Sequence, residues 1–268
     1  MLMGDAGVRE FAMRLQAATE GKFADGRNWK TQPIRECGEA LVEVAPGACM
    51  PYYAAVMNLT TEQRLFLRQE VRTRFYAARE NLWQNWKLEL VLFDGWRSIE
   101  LQEKLFWQCL KEDTARRLGF AEHFVEASQP EAIREAFARL DPVVQRQLRA
   151  ENEKYSSWPT ADPTCPSMHA TGGAVDVWIF RNGRPVNLGV TFDTMDERSG
   201  TFRHLSSEPG WPGYTEEAAL MRDRLIYVMS TAGFAAYPWE FWHWNFGNQA
   251  WSLVAGEPAK YGYIEPGK

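Results

Sequence analysis

Only four cysteines and four histidines occur among the 268 residues. Cys37, Cys49, Cys109 and Cys165 form no CxxC pair and are too sparse for a disulfide framework, so reduced thiols and a cytoplasmic setting are expected. The chain has no Lys/Arg cluster, its formal net charge is -5 and its pI is ≈ 5.6. Without a basic surface, neither nucleic acid nor an anionic membrane is an expected partner, and a small polar substrate fits better. No apolar run approaches the roughly 18 residues of a membrane span. The opening "MLMGDAGVREFAMRLQ" breaks its apolar residues with Asp5, Arg9 and Glu10, so no signal peptide is expected. Internal repeats, low-complexity tracts and Ser/Gly linkers are also missing, and one domain over residues 1–268 is the expectation.

What is present is a 45% hydrophobic chain, long enough to bury a sizeable core. Thr60 and Gln63 match a capping box, and Leu67, Val71, Phe75, Ala78 and Leu82 recur at three- and four-residue spacing, which predicts an amphipathic helix. "LELVLFDGWR" reads as a buried strand ending at Asp94-Gly95, with Ser98 capping a helix that shows Leu101, Leu105 and Cys109 on one face. Arg97 therefore sits at a strand-to-helix junction. Residues of about 110–160 read as a helical insertion covering the fold, with Pro130 after Ser128 and Pro142 after Asp141 at first helical positions. Strand-like runs follow at "GAVDVWIF" and "YPWEFWHWNF", separated by a helix capped at Thr215 that ends at Gly233. This irregular order predicts an α+β domain whose central sheet is largely antiparallel and flanked by helices.

Polar residues inside the apolar runs carry the chemistry. Asp176 lies between Val175 and Val177, and Glu240 and His243 lie among Trp239, Phe241, Trp242 and Trp244. An uncompensated buried charge costs several kcal/mol, so something must compensate them. A lone buried His or Asp is more often a hydrogen-bonded core group than a ligand; the two spaced pairs, HxxxxxxD and ExxH, argue for more. His169, Asp176 and His243 would give zinc three ligands and leave a fourth position open, as catalytic zinc sites do. Cys165 is rejected as an extra ligand because a thiolate would close that position. Glu240, three residues before His243, can share its direction only if the chain turns irregularly after Pro238. It is then cast as the general base that takes a proton from the attacking water. Arg97, charged at any working pH, can stabilise an oxyanion. His123 and His204 lack such neighbours and are expected to be surface or hydrogen-bonded core residues.

The motifs "FDGWRS", "SMHATGGAVD" and "EFWH", in that order, resemble the arginine, SxHxxGxAxD and E(W/F)WH motifs of the zinc D-alanyl-D-alanine dipeptidases, relatives of the vancomycin-resistance dipeptidase. The resemblance covers residues of about 33–252, with Ser98 standing where the family usually has proline. It implies a fold of the D-Ala-D-Ala metallopeptidase, hedgehog-like type and one Zn2+ per chain on His169, Asp176 and His243. It implies Glu240 as base and Arg97 on the transition state. It further implies Ser167 near the terminal carboxylate of the substrate and Asp193, in "TFDTMDERS", on its α-ammonium. The expected function is zinc-dependent hydrolysis of a small dipeptide, most simply D-Ala-D-Ala. A D,D-carboxypeptidase or amidase acting on peptidoglycan peptides, and a catalytically inactive zinc-binding protein of the same fold, are the alternatives.

Overall fold

A computed structural model describes residues 4–23, 28–206 and 210–266. Helix α1 (Asp5–Thr19) leads to strand β1 (Leu41–Glu43), the short helix α2 (Tyr52–Ala55) and strand β2 (Phe66–Arg68), which pairs antiparallel with β1. Helix α3 (Gln69–Trp86) then turns through Lys87, a left-handed residue at φ 54°, into strand β3 (Glu89–Asp94). Helix α4 (Ile99–Cys109) continues through a π-helical turn at Leu110–Thr114 into α5 (Ala115–Arg117), α6 (Pro130–Ala138) and α7 (Pro142–Asn152). Strands β4 (Ala174–Arg181) and β5 (Arg184–Pro185) precede α8 (Glu216–Thr231). The described chain then passes through β6 (Ala235–Ala236) and β7 (His243–Asn245) to α9 (Gln249–Ala255).

The central sheet runs β3-β4-β7-β6, with β5 paired to β4, and every one of these ladders is antiparallel. This is the α+β architecture the sequence predicts. Val71, Phe75, Ala78 and Leu82 are each 0% exposed, because their four-, three- and four-residue spacing puts them on one stripe of α3 facing the core. The main core joins that stripe to Leu90 and Leu92 of β3, Val175, Val177 and Ile179 of β4, and Leu225, Val228 and Met229 of α8. Trp178 belongs to it as well, stacked on Phe93 with ring centroids 6.0 Å apart. The end of α4 and the segment after it share a smaller core, built on Phe106, Trp107, Leu110, Phe124, Phe137 and Leu148.

Helix starts follow the expected chemistry in several places. Ser98 Oγ accepts the Leu101 N–H at 3.2 Å, Asp141 Oδ1 the Val143 N–H at 2.7 Å, and Thr215 Oγ1 the Ala218 N–H at 3.0 Å. Three details differ. Among the described residues Thr60 and Gln63 cap nothing, the Thr60 hydroxyl accepting only from the Glu62 N–H, and Leu67 belongs to β2, so α3 begins after Arg68. Phe66–Arg68 is taken into a ladder with β1, and tertiary pairing outweighs a local capping pattern. Pro130 follows Gln129, not Ser128, as the residue preceding α6. The run "YPWEFWHWNF" is mostly turns, with a strand only at His243–Asn245.

Phe75→Ala is expected to lower the unfolding free energy by about 3–5 kcal/mol, the usual result of emptying a closed aromatic site. Thr60→Ala should stay within about 0.5 kcal/mol of the parent. Urea denaturation of both variants tests the placement of the α3 start, and a loss of 1 kcal/mol or more in Thr60→Ala would contradict it.

Candidate active site

Three neighbouring strands put the acids and a histidine side by side. Asp94 of β3 is registered with Asp176 of β4, and Asp176 with His243 of β7. The first pairing needs a register shift between Leu92 and Asp94: the extra residue, Phe93, brings Asp94 opposite Asp176, as bulges beside functional sites commonly re-aim a side chain. His169 comes from the turn that enters β4. Gly172 closes that turn at φ +69°, and a Cβ there would meet Leu41 Cδ2 at 2.5 Å. At Gly173 a Cβ would meet the Phe246 carbonyl oxygen at 2.6 Å. The glycine pair therefore lets the histidine turn press against the sheet.

His169, Asp176 and His243 are all buried, and one ligand atom from each lies within 4.8 Å of the others. His169 Nε2 is 3.1 Å from His243 Nδ1 and 3.3 Å from Asp176 Oδ2; His243 Nδ1 is 3.0 Å from Asp176 Oδ1. The far nitrogens fix the tautomers. His169 Nδ1–H donates to the Gly95 carbonyl at 2.7 Å, and His243 Nε2–H donates to Asn245 Oδ1 at 3.1 Å, which Asn248 Nδ2 also holds at 2.7 Å. The inward nitrogens then present lone pairs to each other and to a carboxylate, an arrangement that repels unless a proton or cation lies among them. The donor set fits a divalent metal held by two imidazoles and one carboxylate.

Glu240 is 5% exposed and has no side-chain hydrogen bond or ion pair among the described residues. The chain turns at its position: Glu240 N–H donates to the Tyr237 carbonyl at 3.4 Å and His243 N–H to the Glu240 carbonyl at 3.1 Å. This is the irregularity expected after Pro238. Burial, reinforced by the charges of Asp176 and Asp193, pushes the Glu240 carboxyl well above the ordinary carboxylate range. Burial opposes ionisation of Asp176 too, but the adjoining imidazoles hold its carboxyl well below that range.

Arg97 is 7% exposed. Its Nε donates to Asp94 Oδ2 at 2.8 Å, Nη1 to Gln102 Oε1 at 2.9 Å, and Nη2 to Tyr53 Oη and Asp176 Oδ2, each at 3.4 Å. Tyr53 in turn donates its hydroxyl to Asp193 Oδ1 at 3.1 Å, and Asp193 stands in the left-handed region at φ 63°. Burial, partly offset by Arg97 and reinforced by Asp176, pushes the Asp193 carboxyl up to about 7.

A cavity of ≈ 150 Å³ joins Arg97, His169, Asp176, Asp193, Glu240 and His243 on its walls. Ser167 does not line it: buried itself, this residue borders a separate depression with Trp29 and Cys165, and its carbonyl accepts the Ala170 N–H at 3.1 Å within the histidine turn. Cys165 is not part of the converging group. His204 is a buried, bonded residue, its Nε2 2.8 Å from Asp223 Oδ1, and His123 has a 46% exposed side chain. Asp94, Tyr53, Gln102 and Asn245 also contact the site, none of them singled out by the sequence. Asp94 and Asn245 carried a signal, one at the end of a buried strand and the other two residues past a proposed ligand; Tyr53 carried none.

Removing the Asn245 acceptor should free the His243 ring. Asn245→Ala is expected to lower divalent-metal affinity about ten- to hundredfold, measured against a chelating dye; unchanged affinity would mean the tautomer is set elsewhere. Asp193 makes a pH prediction for the metal-free protein. Its folded pKa of about 7 lies above the ordinary 3.8. Its contribution to stability is therefore complete below the ordinary value and is lost as pH rises toward the folded one, by at most about 4 kcal/mol. Denaturation of the parent and Asp193→Asn between about pH 4 and pH 8 should show a shallower decline in the variant, and parallel curves would contradict this.

The geometry agrees with what known proteins resemble this chain. A family model described as D-ala-D-ala dipeptidase matches residues 50–257. A D-alanyl-D-alanine dipeptidase of Synechocystis sp. is 26% identical over 234 residues, which cover 82% of this chain and 87% of that relative. The D-alanyl-D-alanine dipeptidase of Enterococcus faecium is 38% identical over 80 residues, covering 29% of this chain and 36% of the relative. That of Enterococcus faecalis is 32% identical over 81 residues, covering 30% and 36%. The site's donor set and the match across most of the chain agree: this protein is a member of the M15 metallopeptidases, the family described as D-Ala-D-Ala dipeptidase.

Proposed function

We propose that this protein is a zinc-dependent dipeptidase that hydrolyses D-Ala-D-Ala or a closely similar small dipeptide with a free α-ammonium. The observation that carries the reading is Glu240, a buried carboxyl without a partner among the described residues, on the same cavity wall as the His169, Asp176 and His243 ligand atoms. A structural metal site has no use for such a group. The cavity, at ≈ 150 Å³, is well below the roughly 300–1,000 Å³ of sites for drug-sized ligands, which suits a dipeptide.

His169 Nε2, His243 Nδ1 and an Asp176 oxygen would hold the zinc ion. Zinc bound there would supply Lewis acidity, lowering the pKa of water and polarising the scissile carbonyl. Glu240 takes a proton from the attacking water and passes it to the leaving amine, for which a carboxyl with a raised pKa is suited. Arg97, held by Asp94 and Gln102, offers its guanidinium to the developing oxyanion. Asp193 receives the substrate's α-ammonium, and an acylated substrate would leave this buried carboxylate unpaired. Ser167 belongs to the His169 turn, its carbonyl accepting the Ala170 N–H, and the cavity lining gives no support to a place for it at the substrate carboxylate. The residues of about 110–160 are an inserted cover over the site. Four free cysteines support a cytoplasmic setting; no helix among the described residues is long and apolar enough to cross a membrane.

Alanine release from D-Ala-D-Ala, L-Ala-L-Ala and N-acetyl-D-Ala-D-Ala tests the proposal. Zinc-loaded protein should release alanine only from the free D,D-dipeptide, and Glu240→Gln should lower kcat about 10²- to 10⁴-fold. Turnover of the acetylated substrate would make the protein a carboxypeptidase. Undiminished turnover in the variant would remove Glu240 as base.

A further inference from the structure

Gln102 is a buried polar group on the cavity wall to which neither the metal site nor the proton transfers give a role. It is 1% exposed and lies in the first turn of α4. Its Oε1 accepts from Arg97 Nη1 at 2.9 Å, and its Nε2 donates to the Ser157 carbonyl at 2.9 Å and to Ser156 Oγ at 3.2 Å. The amide has one workable orientation. Rotated, it would set its NH2 against a guanidinium that only donates and its oxygen against a carbonyl that only accepts.

Arg97's charged partners are anionic, Asp94 at 2.8 Å and Asp176 at 3.4 Å. Gln102 supplies Nη1 with a neutral acceptor. A third carboxylate there would neutralise more of the charge meant for an oxyanion, whereas an amide fixes the guanidinium plane and leaves that charge in place.

Ser156 and Ser157 lie just past the end of α7, and that end is itself locked to α4. Asn152 Nδ2 donates to the Phe106 carbonyl at 3.1 Å, Asn152 Oδ1 accepts from Thr114 Oγ1 of the π-helical turn at 2.8 Å, and Ser156 N–H donates to the Asn152 carbonyl at 2.9 Å. Thr114, Asn152 and Ser156 are all buried. A continuous series of buried hydrogen bonds thus runs Thr114, Asn152, Ser156, Gln102, Arg97.

We propose that Gln102 is a positioning residue for the peptidase reaction: it sets the plane of the Arg97 guanidinium and ties that plane to the seating of the helical segment over the cavity. The inference rests on the reading of Arg97 as the oxyanion-stabilising group. Losing an interaction that acts only on the transition state lowers kcat and kcat/KM together and leaves KM alone.

The test compares parent, Arg97→Ala, Gln102→Leu and Gln102→Glu, zinc-loaded, on D-Ala-D-Ala, and records the Arg97 Nε–Hε resonance of each Gln102 variant in ¹⁵N-labelled protein. Gln102→Leu should lower kcat about ten- to hundredfold, as a misplaced transition-state group does, with KM within about twofold and the Arg97 resonance shifted or broadened. Gln102→Glu keeps an acceptor for Arg97 and loses the donors to Ser156 and Ser157. Its kcat should fall between parent and Gln102→Leu, and it decides the matter if Gln102→Leu does not fold. An impaired Arg97→Ala beside a Gln102→Leu of parental kcat, or a Gln102→Glu of parental kcat with an unmoved Arg97 resonance, would overturn the positioning role. A parental kcat in Arg97→Ala would instead overturn the role given to Arg97 itself.

Discussion

Two imidazole nitrogens and a carboxylate face one another at 3.0–3.3 Å inside a protein interior, and their lone pairs repel unless positive charge is shared among them. Much of the surrounding structure serves to hold that arrangement. The β3-β4-β7 register sets Asp94, Asp176 and His243 in a row, and the Gly172-Gly173 turn brings His169 onto it. Gly95 and Asn245 take the outward N–H of each ring, so each inward nitrogen keeps its lone pair for a ligand. Together these contacts preform the site and spare a bound metal the cost of ordering it.

The same crowding sets the acids apart by environment. Asp176, between two imidazoles, is held ionised, while Glu240, buried without a counter-ion among the described residues, is pushed toward its neutral form. Neighbouring carboxyls pushed in opposite directions can take different parts in one reaction, one as ligand and the other as proton carrier. Arg97 belongs to the same balance: Asp94, Asp176 and Tyr53 surround it, and Gln102 adds an acceptor without adding charge.

Much of this was legible in the sequence because the chemistry breaks the pattern around it. Asp176 interrupts an apolar strand, Glu240 and His243 interrupt an aromatic run, and "FDGWRS" leaves Arg97 at a junction. The stripe of α3 and the caps at Ser98, Asp141 and Thr215 could also be read, since spacing and capping act over a few residues. Contacts decided by distant partners could not. Leu67 was drawn into a strand by β1, the Phe93 bulge depends on its partner in β4, and Tyr53 reaches Asp193 across 140 positions of chain. Gln102 shares a helix face that sequence alone assigns to packing; its role appears only once Ser156 and Ser157 come back beside it.

Zinc stoichiometry and thermal stability of the parent against Asp176→Ala test the metal site, since losing a ligand removes the metal's contribution to folding along with the metal. The parent should carry one zinc per chain, and Asp176→Ala should lose zinc and unfold at a lower temperature. A variant that keeps stoichiometric zinc at parental stability would contradict this.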